Sequence, residues 1–227
     1  MTSRNEELEE GALFPVEDGL FADCFSEEAV YRFGEQELKI SQLFGASLGV
    51  AAPVWDAAVC LCRYVEEAPL DVSGRRVIEL GSGTGIVGIL AARLGADVTL
   101  TDLPHAIPQL KNNVTANTPP LGWPFVTPSV LPLSWGLDHD RFPSDWDLVL
   151  GADIVYLSET YSLLLDTLTH LCKNGATLYL SSKMRAEHGT PDFYDNILSQ
   201  RFNCQLVCCD ALQNINIYRA TLRRGGE

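Results

Sequence analysis

The sequence is short of positive charge. Only 16 Lys and Arg accompany 30 Asp and Glu among its 227 residues, so the formal net charge is −14. Because nucleic acids are bound through cationic side chains that neutralise phosphates, we expect no nucleic-acid partner. An acidic surface suits a cationic cofactor or a protein surface rich in Lys and Arg, although acidity that serves solubility alone would give the same count.

Patterns typical of metal sites, secretion and membranes are also missing. The seven cysteines form no pair of C-x-x-C motifs, which predicts no metal site and reduced thiols in an intracellular protein. The sequence has no basic-then-apolar leader and no apolar run long enough to span a bilayer. These absences favour a cytoplasmic protein without a membrane partner, and we expect it to be a monomer.

The most informative stretch is a glycine-rich turn between two short apolar runs. Residues 77–80 show a strand pattern, the turn follows as Gly81-Ser82-Gly83-Thr84-Gly85, and a helix pattern of small residues continues to residue 94. The second apolar run, residues 98–101, ends at Asp102. Glycines allow main-chain N–H groups to lie directly against a cofactor, and Asp102 would accept hydrogen bonds from ribose hydroxyls. This predicts a nucleoside-bearing cofactor, and the alternative is a turn that only packs helix on strand.

The rest of the chain predicts three regions. Residues 1–12 are acidic and are interpreted as a disordered tail, and residues 13–53 as an N-terminal extension whose residues 30–33 and 38–40 form a β-hairpin. From residue 54 to residue 227, helix and strand patterns alternate and end in an antiparallel pair. We therefore expect one α/β domain with a Rossmann-like, mostly parallel sheet and helices on both faces. Helices are predicted at residues 54–65, 107–116, 159–171 and 191–200, and a strand interrupted by prolines at residues 126–133.

Several candidate residues follow predicted strands. Ligands of such sheets bind beyond the carboxyl ends of the strands, where we expect the glycine turn, Asp102, Trp135 and Ala152-Asp153 to meet. Trp55, in the first turn of the helix predicted at residues 54–65, is either a core residue or a lid over a ligand. Its periodicity favours the core.

The glycine spacing alone also fits a dinucleotide. Gly83-x-Gly85-x-x-Gly88, with Asp102 about 20 residues further on, matches the dinucleotide fingerprint. A dehydrogenase, however, usually needs a second substrate domain, and the 125 residues that follow Asp102 complete the same sheet. S-adenosylmethionine fits better, because it needs a glycine turn for its amino-acid tail, an acid for its ribose and flat residues around its adenine. An aromatic face near its sulfonium would add about 0.5–2 kcal/mol.

Five motifs resemble the methyltransferase-like 21 group of protein lysine methyltransferases. The motifs are residues 55–58 (WDAA), 79–88 (ELGSGTGIVG), 101–102 (TD), 134–136 (SWG) and 151–156 (GADIVY). Further stretches resemble the branch of the group that methylates translation elongation factor 1-alpha: residues 19–23, 48–52, 182–185, 187–190 and 216–220. Ser82 departs from the group, which usually has Ala at this position.

The resemblance implies a class I seven-stranded methyltransferase sheet with a C-terminal antiparallel hairpin. It also implies S-adenosylmethionine as cofactor and S-adenosylhomocysteine as product. The resemblance implies that eight residues contact the cofactor: Trp55, Glu79, Gly81, Ser82, Gly83, Asp102, Trp135 and Ala152. For Trp55 this is contrary to the periodicity argument. Asp153 and Tyr156 match an Asp-x-x-Tyr motif that faces the incoming lysine, and they are the candidate catalytic residues.

The same resemblance implies a protein substrate, with elongation factor 1-alpha preferred and Hsp70-type chaperones as the alternative. A non-catalytic partner-binding domain, or a methyltransferase for arginine or small molecules, would share the cofactor residues. An exposed lysine has a pKa near 10.4 and must lose its proton before it attacks a methyl group, whereas Asp153 would favour the ammonium. We therefore interpret Asp153 as a residue that orients the amine, with a simple loop acid as the alternative.

Overall fold

The computed structural model describes residues 25–45, 48–67, 70–119 and 125–223. The predicted acidic tail, residues 1–12, and the motif at residues 19–23 lie outside these ranges. Strands in the described residues form a two-stranded sheet and a seven-stranded sheet. Their bounds are β1 Phe25–Phe33, β2 Gln36–Phe44, β3 Arg76–Leu80, β4 Asp97–Asp102, β5 Ser129–Pro132, β6 Leu148–Ala152, β7 Thr177–Lys183, β8 Phe202–Asp210 and β9 Ile215–Leu222.

The seven-stranded sheet confirms the predicted Rossmann-like fold class. Its strand order is β5-β4-β3-β6-β7-β9-β8, with β3 to β7 parallel and β9 antiparallel to both β7 and β8. The N-terminal hairpin is also confirmed, and β1 and β2 are longer than the predicted strands. The chain order reverses between β3 and β6, so the ends of these strands form the switch point at which ligands of such sheets bind.

Four regular helices are described: α1 Asp56–Glu67, α2 Ile86–Arg93, α3 Ile107–Ala116 and α4 Tyr161–Cys172. The prediction for residues 191–200 is confirmed as helical but wrong as a regular helix. A short α-helical turn at Thr190–Asp192 passes into a π-helical turn at Phe193–Ile197 and a 3₁₀ turn at Leu198–Gln200. The neighbouring rings of Phe193 and Tyr194 are both buried in this segment and lie at 89° to each other.

The core lies on both faces of the sheet. Val77 of β3 packs with α1 and α2, while its neighbour Ile78 packs with α4 on the other face. Leu148 and Val149 of β6 divide in the same way. Because successive side chains of a strand point to opposite faces, these continuous apolar runs produce a sheet buried between two helical layers.

A ladder of amide side chains on α3 fastens the N-terminal hairpin to the domain. Gln109, Asn113 and Asn117 are spaced by four residues, so they share one face of the helix. Their side-chain oxygens accept hydrogen bonds from the main-chain N–H groups of Leu43, Ser41 and Lys39, at 2.7, 2.9 and 2.9 Å respectively.

The ladder also donates hydrogen bonds. Asn113 and Asn117 donate to the carbonyls of Ser41 and Lys39 at 3.0 and 2.8 Å. The free edge of β2 is therefore satisfied by side chains in the way that another strand would satisfy it.

We expect Asn113→Ala to lower the free energy of unfolding by about 1–3 kcal/mol, because it leaves the part-buried main-chain groups of Ser41 and the buried carbonyl of Thr84 without this partner. Urea denaturation provides the measurement. Asn112→Ala is the matched control on the exposed face of α3, and we expect a change within about 0.5 kcal/mol. Equal effects of the two substitutions would contradict the ladder as a source of stability.

Candidate active site

The turn after β3 excludes side chains at two of its glycines. Gly81 and Gly85 have φ angles of 57° and 84°, in the left-handed region. A Cβ atom on Gly81 would lie 2.7 Å from Cγ2 of Ile154, and one on Gly85 would lie 2.4 Å from Cδ1 of Leu110. The turn therefore keeps its close approach to β6 and α3 only with glycine at these positions.

Ser82 points inward. Its side chain is buried, and its Oγ accepts a hydrogen bond from the N–H of Thr101 at 3.2 Å. Its own N–H donates to the carbonyl of Thr101 at 2.9 Å. The hydroxyl thus joins the turn to the end of β4, which explains why serine is tolerated here.

Asp102 is at the end of β4, beside the turn, as the sequence predicts. Its carboxylate accepts hydrogen bonds from the N–H groups of Gly83, at 2.6 Å, and Leu103, at 2.7 Å. Burial raises the pKa of Asp102, and these two N–H groups oppose that effect. Since a carboxylate has about four acceptor positions, about two remain for hydroxyl groups of a ligand.

Glu79 lies beneath the turn. It is 2% exposed, and its Oε2 accepts a hydrogen bond from the N–H of Gly88 in the first turn of α2 at 3.0 Å. Burial raises the pKa of Glu79 to about 8, although the N–H of Gly88 and the hydroxyl of Ser82 act in the opposite direction. These contacts hold the start of α2 against β3, and a contact of Glu79 with a cofactor stays a prediction.

The segment before α1 forms a wall beside the turn. The carbonyl of Ala51 would lie 3.4 Å from a Cβ atom on Gly83, and it accepts a hydrogen bond from Nε2 of Gln109 at 2.8 Å. Nε1 of Trp55 donates to the carbonyl of Val50 at 2.9 Å.

The periodicity argument that places Trp55 in the core is wrong. The helix begins only at Asp56, and Trp55 is 39% exposed. Because Trp55 precedes the helix, the spacing of the apolar residues of α1 does not decide where its ring lies. Its indole is tethered through Val50 and leaves part of its surface available to a ligand.

Trp135 approaches the other side of the turn. Its Cζ2 would lie 3.4 Å from a Cβ atom on Gly81, and the indole is partly buried against the apolar layer that contains Ile154. Three predicted positions, Gly81, Asp102 and Ala152, thus lie at the carboxyl ends of β3, β4 and β6, and Trp135 lies beside Gly81. Trp55 borders the turn only through the segment of Val50 and Ala51.

Asp153 follows β6 in a conformation that is unusual for its residue type. Its φ is 55°, in the left-handed region, and its N–H donates to the carbonyl of Ser181 at 2.7 Å. The side chain is 4% exposed and forms a two-pronged ion pair with Arg185, with both N–O distances at 2.8 Å. Backbone strain of this kind is concentrated at functional sites.

Arg185 is a site residue to which sequence reasoning gave no role. It lies two residues beyond β7, and its only sequence signal is its place in the motif at residues 182–185. The guanidinium carbon lies 5.8 Å from the centre of the Trp55 ring, so Arg185 connects Asp153 with the wall before α1.

Tyr156 lies near the same acids. Burial, together with the negative charges of Asp102 and Asp153, raises the pKa of its phenol to about 12. The phenol therefore keeps its proton at neutral pH. It can donate a hydrogen bond but cannot serve as a base.

In the ranges that the structure describes, no group of three or more His, Cys, Asp or Glu is arranged to hold a metal ion. No helix among these residues combines the length and the apolarity needed to cross a bilayer. The six cysteines of the described part are free thiols.

We expect Glu79→Gln to change how stability depends on pH. The pKa of Glu79 is 4.5 in the unfolded chain and is raised by burial to about 8 in the folded protein. The free energy of unfolding of the wild type should therefore fall as pH rises between these values, by up to about 1.4 kcal/mol per pH unit from this residue. Glu79→Gln should lack this decline.

Urea denaturation from about pH 5 to about pH 8 measures the effect, with the exposed Glu67→Gln as matched control. Parallel pH curves for the wild type and Glu79→Gln would show that Glu79 does not titrate as described.

A family profile described as lysine methyltransferase matches residues 32–200. EEF1A lysine methyltransferase 3 of Xenopus tropicalis is 55% identical over 202 residues, which cover 89% of this chain and 88% of the relative. The Mus musculus protein of the same name is 54% identical over 217 residues, covering 96% and 92%. Protein N-lysine methyltransferase METTL21A of Mus musculus is 41% identical over 200 residues, covering 88% and 89%.

Solved structures share the fold at low identity. The T. thermophilus 16S rRNA N2 G1207 methyltransferase, in complex with AdoMet and guanosine, superposes with a TM-score of 0.63 at 18% identity, covering 87% of this chain and 51% of that one. The magnesium protoporphyrin IX methyltransferase of Synechocystis with bound SAM gives a TM-score of 0.52 at 15% identity, covering 74% and 78%.

Proposed function

The chain belongs to the lysine methyltransferase family, and from this premise we propose that it methylates a lysine of translation elongation factor 1-alpha. The enzyme is S-adenosylmethionine-dependent and acts on protein lysine. One observation carries the choice of substrate: identity to the EEF1A methyltransferases is 54–55%, whereas identity to the METTL21A proteins, including the Mus musculus one, is 41–42%. Hsp70-type chaperones remain the alternative substrate.

The residues at the switch point fit the cofactor. The turn is closed to side chains at Gly81 and Gly85, Asp102 keeps acceptor positions for hydroxyl groups, and Trp55 offers an exposed ring. As part of the proposal, the main chain of Gly81 to Gly83 faces the amino-acid tail and Asp102 holds the ribose. Trp135 packs near the adenine, and Trp55 and the Ala152 backbone complete the contacts. Glu79 supports the turn from below.

We expect Asp102→Ala to raise the Kd for S-adenosylmethionine about tenfold or more, because the loss of a charged hydrogen-bond acceptor costs about 1.5–3 kcal/mol. Titration calorimetry measures the change. Asp97→Ala, an exposed acid at the other end of β4, is the control and should bind like the wild type. Unchanged affinity of Asp102→Ala would remove Asp102 from the ribose site.

Transfer needs a neutral amine placed in line with the donor. S-adenosylmethionine supplies an electrophilic methyl group when bound: the amine lone pair forms the N–C bond, the C–S electron pair stays on sulfur, and the methylated amine releases one proton to water. Asp153 and Tyr156, three residues apart after β6, are proposed to orient the amine. Tyr156 keeps its proton and so contributes a hydrogen bond, and most of the rate comes from alignment of two bound reactants.

The same proposal includes location and organisation. The enzyme works as a monomer in the cytoplasm, and the free thiols of the described cysteines support the intracellular location. Residues 13–53 serve as an extension of a catalytic domain at residues 54–227. The family match already begins at residue 32, within β1.

Incubation of the purified enzyme with labelled S-adenosylmethionine tests the function. Purified elongation factor 1-alpha and a purified Hsp70 chaperone are supplied in separate reactions, and mass spectrometry locates the methylated residue. We expect methyllysine on the elongation factor. Methyllysine on the chaperone alone would overturn the choice of substrate. Label on neither protein would favour a non-catalytic partner-binding domain.

We expect Asp153→Asn to slow transfer about a hundredfold while the Kd for S-adenosylmethionine stays within about twofold, because the substitution disturbs the amine and not the cofactor. Single-turnover methylation and calorimetry separate the two effects, with Asp97→Asn as a surface control. Full turnover of the Asp153 variant at saturating cofactor would exclude Asp153 from the mechanism.

A further inference from the structure

The end of the site that faces the substrate contains two ion pairs. Arg185 binds both carboxylate oxygens of Asp153, and Nζ of Lys183 lies 3.8 Å from Oδ2 of Asp56. Lys183 is the last residue of β7, and Arg185 lies two residues further on. Asp153 directly follows β6, and Asp56 is the first residue of α1. A protein with a net charge of −14 has thus placed two of its 16 Lys and Arg here, so that each acid is matched.

The Asp153–Arg185 pair is the more enclosed of the two. Their side chains are 4% and 20% exposed, whereas Asp56 and Lys183 are 64% and 41% exposed. Because solvent screens exposed charges, only the inner pair strongly affects a charge brought next to it. Few acceptor positions remain on Asp153. Arg185 binds both carboxylate oxygens, and the N–H of Lys183 also donates to Oδ1 at 3.1 Å.

Other charged or titratable groups face this pair. Glu187 and Asp56 act on Arg185, and the pKa of Arg185 is raised, first by its hydrogen bonds to Asp153. The charge of Asp153 also raises the pKa values of Tyr156, in the segment after β6, and Tyr194, in the π-helical turn. Both phenols keep their protons at neutral pH, so Arg185 is the charge that directly balances Asp153.

This balance affects the chemistry of lysine transfer. A lone carboxylate next to the target amine would stabilise the ammonium, which has no lone pair with which to attack. A carboxylate already paired with a guanidinium carries almost no net charge toward a third group. Asp153 can then orient the amine through a hydrogen bond without holding its extra proton.

We propose that Arg185 is a positioning residue that keeps the incoming lysine amine in its neutral, nucleophilic form by balancing the charge of Asp153. The inference rests on the proposed function and adds to it a specific role for a residue outside the Asp-x-x-Tyr motif. Arginine suits the task because its charge persists across the working pH range and its planar fork matches a carboxylate.

The test is the pH dependence of single-turnover methylation, with S-adenosylmethionine and the protein substrate both saturating. Arg185→Gln leaves Asp153 unbalanced, so the midpoint at which the rate rises with pH should move upward by about one pH unit or more. The deficit should be large near pH 7 and should shrink at high pH. Asp153→Asn leaves Arg185 unbalanced and should move the midpoint downward.

Two further variants keep the result interpretable. Arg185→Lys retains the charge without the fork, and its midpoint should stay within about half a pH unit of the wild type, even if its rate is lower. In Asp153→Asn/Arg185→Gln both charges are absent, and the midpoint should return toward that of the wild type. Calorimetric affinity for S-adenosylhomocysteine identifies variants that remain folded. If Arg185→Gln fails to fold, Arg185→Lys, Asp153→Asn and the double variant carry the test.

The outcomes separate this inference from the proposed function. If the wild type methylates no lysine, the proposed function fails and the inference fails with it. If the wild type is active but all the folded variants share one midpoint, Arg185 has only a structural role and the inference alone is wrong. A faster transfer by Arg185→Gln at neutral pH would show that Arg185 blocks the amine, which would also overturn it.

Discussion

The site depends on how the turn after β3 is held. Asp102 binds the N–H of Gly83 from the end of β4, and Glu79 binds the N–H of Gly88 from beneath. Asp102 and Glu79 are 23 residues apart in sequence, but they accept hydrogen bonds from two N–H groups of one short segment. Because glycines allow this segment to turn without side chains, it approaches Ile154, just beyond β6, so closely that a Cβ atom on Gly81 would clash. These contacts fix the turn against which we propose that the nucleoside binds.

The N-terminal hairpin is part of the same construction. The amide ladder of α3 fastens β2, and Gln109 extends that ladder to the carbonyl of Ala51, which lies against Gly83. The indole N–H of Trp55 bonds to Val50 in the same segment. A helix that packs beside the parallel sheet therefore positions the wall of the site, although no residue of α3 is a candidate for chemistry. The hairpin of β1 and β2 is therefore tied to the candidate site by hydrogen bonds.

At the proposed substrate side, charge pairing adds to main-chain hydrogen bonds, because Asp153 binds Arg185 as well as the N–H of Lys183. Asp153 is held in a left-handed conformation, with its carboxylate turned toward Arg185 beyond the next strand. The ring of Trp55 lies near the same guanidinium, so Arg185 contacts both Asp153 and the segment before α1. On such a strongly acidic chain, we propose that the balanced pair of Asp153 and Arg185 allows a lysine to enter without a net negative charge that would hold its proton.

The sequence by itself determined the sheet and predicted the edge at which the cofactor binds. The apolar runs are long enough to be buried on both faces, and glycines, Asp102 and Ala152-Asp153 follow these runs, so strand periodicity alone brings them to one edge. Tertiary structure decided what side chains do once they arrive there. Trp55 lies outside the core because α1 begins one residue later. Glu79 lies beneath the turn, where it accepts a hydrogen bond from the N–H of Gly88 in the first turn of α2. The partnership of Asp153 with Arg185 joins residues 32 positions apart across neighbouring strands, and no local pattern encodes a contact of that kind.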